Sequence, residues 1–212
     1  TKCADEAHSA RGAEIFLDEL GRNGTTCAMA YSTVHPGSVD ALFSAAEKRG
    51  MRILTGKTCM DRNAPPALCD TPQRAYDESK ALLERWEGRG RASYVITPRF
   101  APTSSPEQLE ALGALAAEYP DVAIQTHLSE NHGEIAWVKE LFPQAKDYTD
   151  VYDSYGLLRP RAVLGHGIHL SDRELEVLSE RGASIAHCPT SNFFLGSGLF
   201  DMARAIDPAR PV

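Results

Sequence analysis

The sequence predicts an α/β fold, and in particular part of a (β/α)8 TIM barrel. Apolar runs of strand length alternate with amphipathic segments of helical length, which is typical of βαβ units and a parallel sheet. No GxGxxG or GxxxxGKS/T phosphate loop is present, although doubly wound sheets usually carry one after the first strand. Polar residues instead follow several different strands, as they do at the C-terminal face of a barrel. We therefore expect residues 1–212 to form one partial barrel domain, with about six of eight βα units and no second domain.

Six segments have the length and apolar composition of buried strands. In chain order they are 25–33, 51–59, 92–100, 122–128, 161–170 and 183–191. The run 92–100 is predicted to end in a Pro-Arg-Phe turn, and 183–191 to be a strand followed by a turn. Short apolar runs bounded by turn residues are the usual signal for strands buried on both faces.

Helices are predicted from apolar residues at helical spacing and from start and stop residues. In chain order they are 10–21, 36–50, 72–88, 105–120, 131–143 and 171–182, with a short helical turn at 147–156. Gly50 and Gly182 suit helix C-termini, and Ser105 can cap a helix whose first position is Pro106. The proline-rich segment 60–71 is predicted to be a loop.

Composition excludes two classes of partner. The chain has 212 residues, 42% of them hydrophobic, which is enough for a substantial core. Its formal net charge is −7, and only residues 85–91 are locally basic, so a nucleic-acid surface is not expected. No apolar stretch approaches the roughly 20 residues that span a bilayer, so no membrane partner is expected either.

The cysteines predict a reducing compartment. There are five, an odd number, and no CxxC pair occurs. Free, reduced thiols are the simplest interpretation, and they fit a cytoplasmic location. The absence of CxxC also argues against the zinc deaminases that bind metal through paired cysteines.

Two histidines lie near the ends of neighbouring strands, and a glutamate follows the first of them. Period-2 alternation divides the run 122–128 between two faces: Ala123, Gln125 and His127 on one, Val122, Ile124 and Thr126 on the other. We expect the branched face to pack on outer helices and His127 to lie at the barrel mouth. In the same way Ala162, Leu164 and His166 are predicted to share a face. Two inward histidines are a plausible half of a zinc site, and Glu130 in the following loop could move protons.

Other interpretations of these residues stay open. A lone inward histidine is more often a structural residue than a ligand, although the pair with a nearby glutamate favours a metal site. Arg99 is a better candidate than Arg62 for contacting a ligand, because it lies between a proline and an aromatic residue at a strand end. Phe100 either stacks on a flat substrate or joins the core. His169 is expected to be a hydrogen-bonding partner rather than a ligand. His187, before a predicted tight turn at Pro189–Asn192, is either structural or a support for the site. The histidines expected to have no function are His8, His35 and His132.

Four motifs in order resemble the amidohydrolase superfamily. They are "TPRF", "THLSE", "GHGIHLS" and "AHCPTSN". The longer stretches "GKTCMDRNAP", "TPRFAPTSS" and "HCPTSNFFLGSGLF" are similar to the guanine deaminase family within it. The resemblance covers essentially the whole chain, and it is specific because four motifs occur in sequence.

The resemblance implies a fold, a reaction and roles for particular residues. The fold is a metal-dependent (β/α)8 barrel, of which this chain would supply the second to seventh units, and the assembly is a homodimer. The reaction is the hydrolytic deamination of guanine to xanthine and ammonia in purine catabolism. By resemblance, His127 and His166 are ligands of one Zn²⁺, and Glu130 is the catalytic proton shuttle. Arg99 holds the guanine carbonyl and Phe100 stacks nearby.

The chain also departs from the family pattern. The family carries a His-x-His pair after its first strand, an aspartate after its eighth, and a β-sandwich built from both chain ends. None of these is present, and no HxH occurs anywhere in the chain. We therefore expect an internal fragment that is inactive alone, with the remaining ligands outside this chain.

Two competing functions remain. One is another aminohydrolase of the superfamily, acting on a different purine, a pyrimidine or a triazine. The other is a truncated, non-catalytic homologue that serves as a binding or oligomerisation module. An upstream HxH and a downstream aspartate in the reading frame favour the enzyme, whereas flanking stop codons favour the module.

Overall fold

The computed structural model describes residues 2–209 and 211–212, and its centre is a parallel sheet with strands in chain order. The strands are β1 (Cys27–Tyr31), β2 (Arg52–Gly56), β3 (Thr58–Cys59), β4 (Ala92–Pro98), β5 (Ala123–Leu128), β6 (Ala162–His166) and β7 (Ser184–Ala186). Neighbours follow the order β1-β2-β4-β5-β6-β7, and β3 pairs with β4. A doubly wound sheet would change direction at a switch point. The sequential order is that of a partial barrel, as the sequence predicts.

Helices cover one side of the sheet. They are α1 (Glu6–Arg22), α2 (Pro36–Arg49), α3 (Pro72–Trp86), α4 (Pro106–Glu118), α5 (His132–Leu141), α6 (Tyr148–Ser154), α7 (Asp172–Arg181), α8 (Pro189–Leu195) and α9 (Met202–Ala205). The predicted helix caps are confirmed. Ser105 caps the N-terminus of α4, and Gly50 and Gly182 end α2 and α7 in the left-handed conformation. No described helix is both long and apolar enough to cross a membrane.

Three predicted boundaries differ most from those of the structure. The first helix begins at Glu6 rather than residue 10, where Asp5 caps it by accepting from the His8 N–H. The strand β6 ends at His166 rather than at 170. Pro189 begins the helix α8 rather than a tight turn, because proline's fixed φ suits the first position of a helix as well as a turn.

The sheet is strongly curved. Gln125 on β5 donates from Nε2 to the carbonyl oxygen of Ala30 on β1, at 3.2 Å, and to Thr97 Oγ1, at 3.1 Å. In a flat sheet β1 and β5 would be three strand spacings apart, about 14 Å. Their contact shows that the sheet bends around the side chains on its inner face, as the predicted inward position of Gln125 requires.

The predicted strand 51–59 is divided into β2 and β3. A Cβ at Gly56 would collide with the carbonyl oxygen of Val95, so only glycine allows this approach of the two strands. Lys57 follows at the break and is fully buried. Its ammonium forms an ion pair with Asp70, which lies near the end of the loop 60–71, so the break ties that loop to the sheet.

Candidate active site

The carboxyl ends of the strands surround an open cleft of about 380 Å³. The residues that line it are Tyr31, Ser32, Thr33, Val34, Thr58, Met60, Leu68, Arg99 and His127. Parallel strands bring their carboxyl ends to one edge, so residues far apart in sequence meet here. The cleft combines apolar walls with one guanidinium and one imidazole, which suits a small, flat, polar ligand.

His127 is held in one tautomer by the strand beside it. Its Nδ1 lies 2.6 Å from the carbonyl oxygen of Arg99. A carbonyl can only accept, so Nδ1 carries the proton and Nε2 carries the lone pair. Burial lowers the pKa of His127, which keeps the ring neutral. A neutral imidazole with a bare Nε2 is the form that binds a metal.

The His166 side chain lies beside His127, although strand alternation would turn it to the opposite face. The register pairs Ala162 with Ile124, Leu164 with Thr126 and His166 with Leu128. Paired residues of a parallel sheet project to the same face, so Ala162 and Leu164 point toward the helices rather than into the barrel, which corrects the predicted shared inward face. His166 has φ of +73°, and this left-handed backbone turns its side chain back to the inner face.

The two histidine rings lie side by side. Their centroids are 5.5 Å apart and their planes differ by 23°. His166 is buried, and its Nδ1 lies 2.8 Å from Oδ1 of Asn192 on α8. Each ring therefore uses Nδ1 for a hydrogen bond to the protein, and the structure brings the predicted pair together.

Glu130 lies beside this pair. It follows Ser129, whose φ of +47° bends the chain sharply just after β5. Its Oε1 is 3.5 Å from Nδ1 of His166 and accepts a hydrogen bond from Ser197 Oγ at 3.2 Å. The carboxylate is mostly buried, with 14% of its side chain exposed. It is therefore close enough to the histidines to exchange protons with a small ligand between them.

Arg99 and Phe100 lie just beyond β4. The Arg99 guanidinium is 4.8 Å from the centroid of the Phe100 ring, and that ring is 6.2 Å from the ring of His127. Tyr152 on α6 fixes this junction: its hydroxyl donates to the carbonyl of His127 and accepts from the backbone N–H of Ala101. The ends of β4 and β5 are thus tied to the same buried hydroxyl.

The other strand-end residues have different partners. Arg62 donates to the carbonyl of Ala101 and lies 4.8 Å from the Phe142 ring centroid, outside the cleft. His169 donates from Nε2 to the carbonyl of Ser197, so it is a hydrogen-bonding partner, as predicted. His187 is exposed and stacks on Phe200, away from the histidine pair.

Three residues around the histidine pair were not predicted to have a role. Tyr31 ends β1, and its ring is 4.6 Å from that of His127. The strand-end rule that found His127 could have found it. Asn192 was assigned to a turn, so its contact with His166 was missed. Ser197 lies between two glycines in an apolar segment, where the sequence has no motif that indicates a polar contact.

The residues present fit part of a zinc site. Imidazole nitrogens are suitable zinc ligands, and hydrogen bonds at the Nδ1 atoms of His127 and His166 orient the two rings. Zinc prefers four ligands, however, and the described residues contain no group of three or more His, Cys, Asp or Glu side chains placed to hold a metal. The described residues therefore supply two donors, and zinc would require others.

Comparisons with known proteins show what the chain is similar to. The sequence profile described as "Amidohydrolase family" matches residues 4–208. Guanine deaminase of Escherichia coli (strain K12) is 54% identical over 191 residues, which are 90% of this chain and 44% of that protein. The crystal structure of guanine deaminase from Bradyrhizobium japonicum has a TM-score of 0.98 at 42% identity and covers 100% of this chain. The structure from C. acetobutylicum "with bound guanine in the active site" has a TM-score of 0.95 at 32% identity.

These relatives are longer than the chain. It covers 46% of the B. japonicum protein and 51% of the C. acetobutylicum protein. The chain thus spans about half the length of the proteins it matches, and within that half the partial-barrel fold is confirmed.

Proposed function

The chain belongs to the amidohydrolase family, and on this premise we propose that it forms the substrate-binding half of a guanine deaminase. The reaction is guanine plus water giving xanthine plus ammonia. One observation carries the proposal: Arg99 and His127 line one cleft at the carboxyl ends of the strands, and His166, beside His127, lies 3.5 Å from Glu130. The relatives named guanine deaminase support the same choice of substrate.

Arg99 and Phe100 hold the purine in this proposal. Guanine presents a carbonyl oxygen at C6, and a guanidinium can donate two parallel hydrogen bonds to such an acceptor region. The Phe100 ring, 4.8 Å from that guanidinium, offers an apolar face to the flat base. Arg99 also stabilises negative charge that builds on the ring when water attacks C2.

His127 and His166 are the residues that would hold Zn²⁺ through Nε2. When bound, zinc lowers the pKa of a coordinated water and so supplies a nucleophile near neutral pH. Glu130 takes the proton from the attacking water and returns it to the departing amine, which leaves as ammonia. Its Oε1 is held by Ser197, so the proton moves at Oε2.

The two histidines do not complete a zinc site by themselves. We therefore propose that further ligands come from outside these 212 residues, and that the 212-residue chain alone does not deaminate guanine. The free cysteines support a cytoplasmic location. A homodimer remains a prediction from the family resemblance.

The substrate assignment is tested by Arg99→Lys in the full-length protein. Lysine keeps the charge but loses the planar pair of donors, so kcat/KM for guanine should fall by about 100-fold or more. Arg91→Lys is the matched control because Arg91 lies at the opposite end of β4 and should leave activity unchanged. Steady-state ammonia release is measured with guanine, adenine, cytosine and a chlorinated triazine.

The outcomes separate the competing functions. A preference for guanine that Arg99→Lys weakens supports the proposal. Faster turnover of another base or of the triazine would indicate a different aminohydrolase. No turnover of any substrate by zinc-loaded, full-length protein would indicate a non-catalytic homologue.

A further inference from the structure

A short buried loop follows the two residues that hold the purine in the proposed function. Residues 101–104 are all buried, although they form only a single 3₁₀ turn between β4 and α4. Buried N–H and carbonyl groups outside helices and strands need partners elsewhere, because leaving them unpaired is costly. The partners of residues 101–105 (the 101–105 loop) therefore decide how firmly Arg99 and Phe100 are held.

Three successive residues after β3 donate hydrogen bonds to this loop. They bond to three consecutive carbonyl groups, and each uses a different donor. The carbonyls of Ala101, Pro102 and Thr103 accept, in that order, from Arg62 Nη2 at 3.2 Å, Asn63 Nδ2 at 2.7 Å and the Asp61 N–H at 3.0 Å. The three donors belong to the stretch "GKTCMDRNAP", for which neither the zinc site nor the purine contacts provide a role.

Asp61 also holds the end of the loop through its side chain. Its Oδ1 accepts from the N–H of Ser105 at 2.7 Å, and its Oδ2 accepts from the Ser105 hydroxyl. Ser105 is the N-cap of α4, so the Asp61 carboxylate lies at the positive end of that helix, where a negative charge is favourable. One aspartate thus connects the end of β3 to the start of α4.

Thr103 connects Asp61 to Phe100. Its N–H and its hydroxyl both donate to the Phe100 carbonyl, at 3.1 and 3.3 Å, while its own carbonyl accepts from the Asp61 N–H. Arg99 is held from the same side, because its N–H donates to the carbonyl of Cys59 at 3.0 Å. The segment that carries Asp61 therefore contacts both Arg99 and the loop that follows Phe100.

Asp61 is not one of the residues that line the cleft, so an effect on the ligand must act through other residues. We propose that Asp61 is a positioning residue, which fixes the 101–105 loop and thereby holds Arg99 and Phe100 against the purine. This inference rests on the proposed function for its ligand, but the order of the loop can be measured without substrate. A displacement of about 1 Å in a binding group can reduce the rate by about 100-fold.

The test compares two substitutions of Asp61 in the full-length protein. Asp61→Ala removes both side-chain acceptors. Asp61→Asn keeps Oδ1 as an acceptor and can donate from Nδ2 to the hydroxyl oxygen of Ser105. Thr71→Ala is the matched control, because it also removes a helix-capping contact, that of α3, at the other end of the segment 60–71.

Three measurements are made on each variant. Hydrogen–deuterium exchange with mass spectrometry, without substrate, reports the order of residues 99–105. Steady-state ammonia release gives kcat and KM for guanine, and thermal unfolding gives Tm. The double variant of Asp61→Ala with Arg99→Lys shows whether the two residues act through the same contact.

General destabilisation would not give the expected pattern. Asp61→Ala should increase exchange in residues 99–105 more than in the rest of the chain, and kcat/KM should fall by about 10–100-fold. Asp61→Asn should restore most of both. In the Arg99→Lys background, Asp61→Ala should cause a much smaller loss, because the contact that it aligns is already impaired. Thr71→Ala should lower Tm but leave kcat/KM and the exchange of residues 99–105 unchanged.

Two results would overturn the inference. One is exchange in residues 99–105 of Asp61→Ala equal to that of the wild type, and the other is an equal loss of kcat/KM in the wild-type and Arg99→Lys backgrounds. If Asp61→Ala does not fold, Ser105→Ala replaces it, since it removes the other side of the Oδ2 contact, and the same two results decide. If the wild type does not deaminate guanine while Asp61→Ala still loosens residues 99–105, the proposed function alone is contradicted.

Discussion

Replacing Lys57 with methionine should strongly destabilise the protein. Lys57 is fully buried, its ammonium pairs with Asp70, whose side chain is 3% exposed, and Glu78 lies 3.4 Å away. At an effective dielectric constant of about 20, the Glu78 contact alone corresponds to about 5 kcal/mol of attraction. Most of that attraction offsets desolvation. Removing the lysine leaves the buried Asp70 carboxylate with the half-exposed Arg74 guanidinium at 3.9 Å as its remaining ion-pair partner among the described residues, which costs about 3–5 kcal/mol.

The assay is equilibrium urea unfolding, with thermal unfolding alongside it. A loss of 3–5 kcal/mol corresponds to a fall in Tm of roughly 6–20 °C for a chain of this size. Lys80→Met is the matched control: Lys80 pairs with Glu118, but both side chains are about a third exposed, at 32% and 40%. An exposed pair contributes at most about 1 kcal/mol, so this variant should change stability little.

A double variant tests the cause. Lys57→Met with Asp70→Leu removes both members of the most buried pair, and it should recover much of the stability, because apolar replacements of buried ion pairs are often neutral. Equal losses in Lys57→Met and Lys80→Met, or no recovery in the double variant, would refute this reasoning.

Three further predictions concern the neighbourhood of the cleft. Ser129→Gly should raise the free energy of unfolding by about 1 kcal/mol because glycine tolerates the left-handed backbone at this position. Ser104 has φ of −120°, so Ser104→Gly should instead lower the free energy of unfolding by about 0.5–1 kcal/mol. Urea midpoints of the two variants that move in the same direction would contradict this. Tyr152→Phe removes a hydroxyl that bonds to three groups and should cost about 1–3 kcal/mol in thermal unfolding. Tyr76→Phe is its control because the Tyr76 hydroxyl donates to Glu118 at the surface, and an equal loss in both variants would contradict this. Burial lowers the pKa of folded His127, so its contribution to stability is present above about pH 6.5 and should be lost as the pH falls below that value. In urea unfolding at a series of pH values, the free energy of unfolding of His127→Gln should therefore depend less on pH than that of the wild type. An equal pH dependence in the two proteins would show that His127 does not cause it.

Part of the site could be predicted because strands are regular. Arg99 and His127 were found from one rule, that polar residues after parallel strands meet at one edge. Period-2 alternation also placed Gln125 correctly on the inner face, where it reaches β1. These features depend only on local periodicity and on strand direction, which the sequence carries.

The position of His166 shows where this reasoning ends. Period-2 alternation correctly pairs Ala162 with Leu164, but it places both on the inner face only if His166 continues the alternation, and His166 does not. Because His166 has a left-handed backbone, its inward side chain does not show which face Ala162 and Leu164 occupy. The sequence offered only a weak signal, since His is merely more tolerant of positive φ than most residues.

The helix α8 was missed because its residues favour two structures. Pro, Thr, Ser and Asn are common in turns, and Pro also suits the first turn of a helix. The side chain of Asn192 is used by His166, a contact that depends on tertiary structure and is invisible to local propensity.

The polar residues on the two faces of the sheet have different consequences. On the helix side, Lys57 and Tyr152 each hold a loop that borders the cleft, but neither lines it. On the inner side, Arg99 and His127 line the cleft, and the Nδ1 atom of His127 is held by the Arg99 carbonyl. Substitutions on the helix side should therefore reduce stability first, and activity only as the loops loosen. Substitutions on the inner side should reduce activity or zinc affinity with little loss of stability.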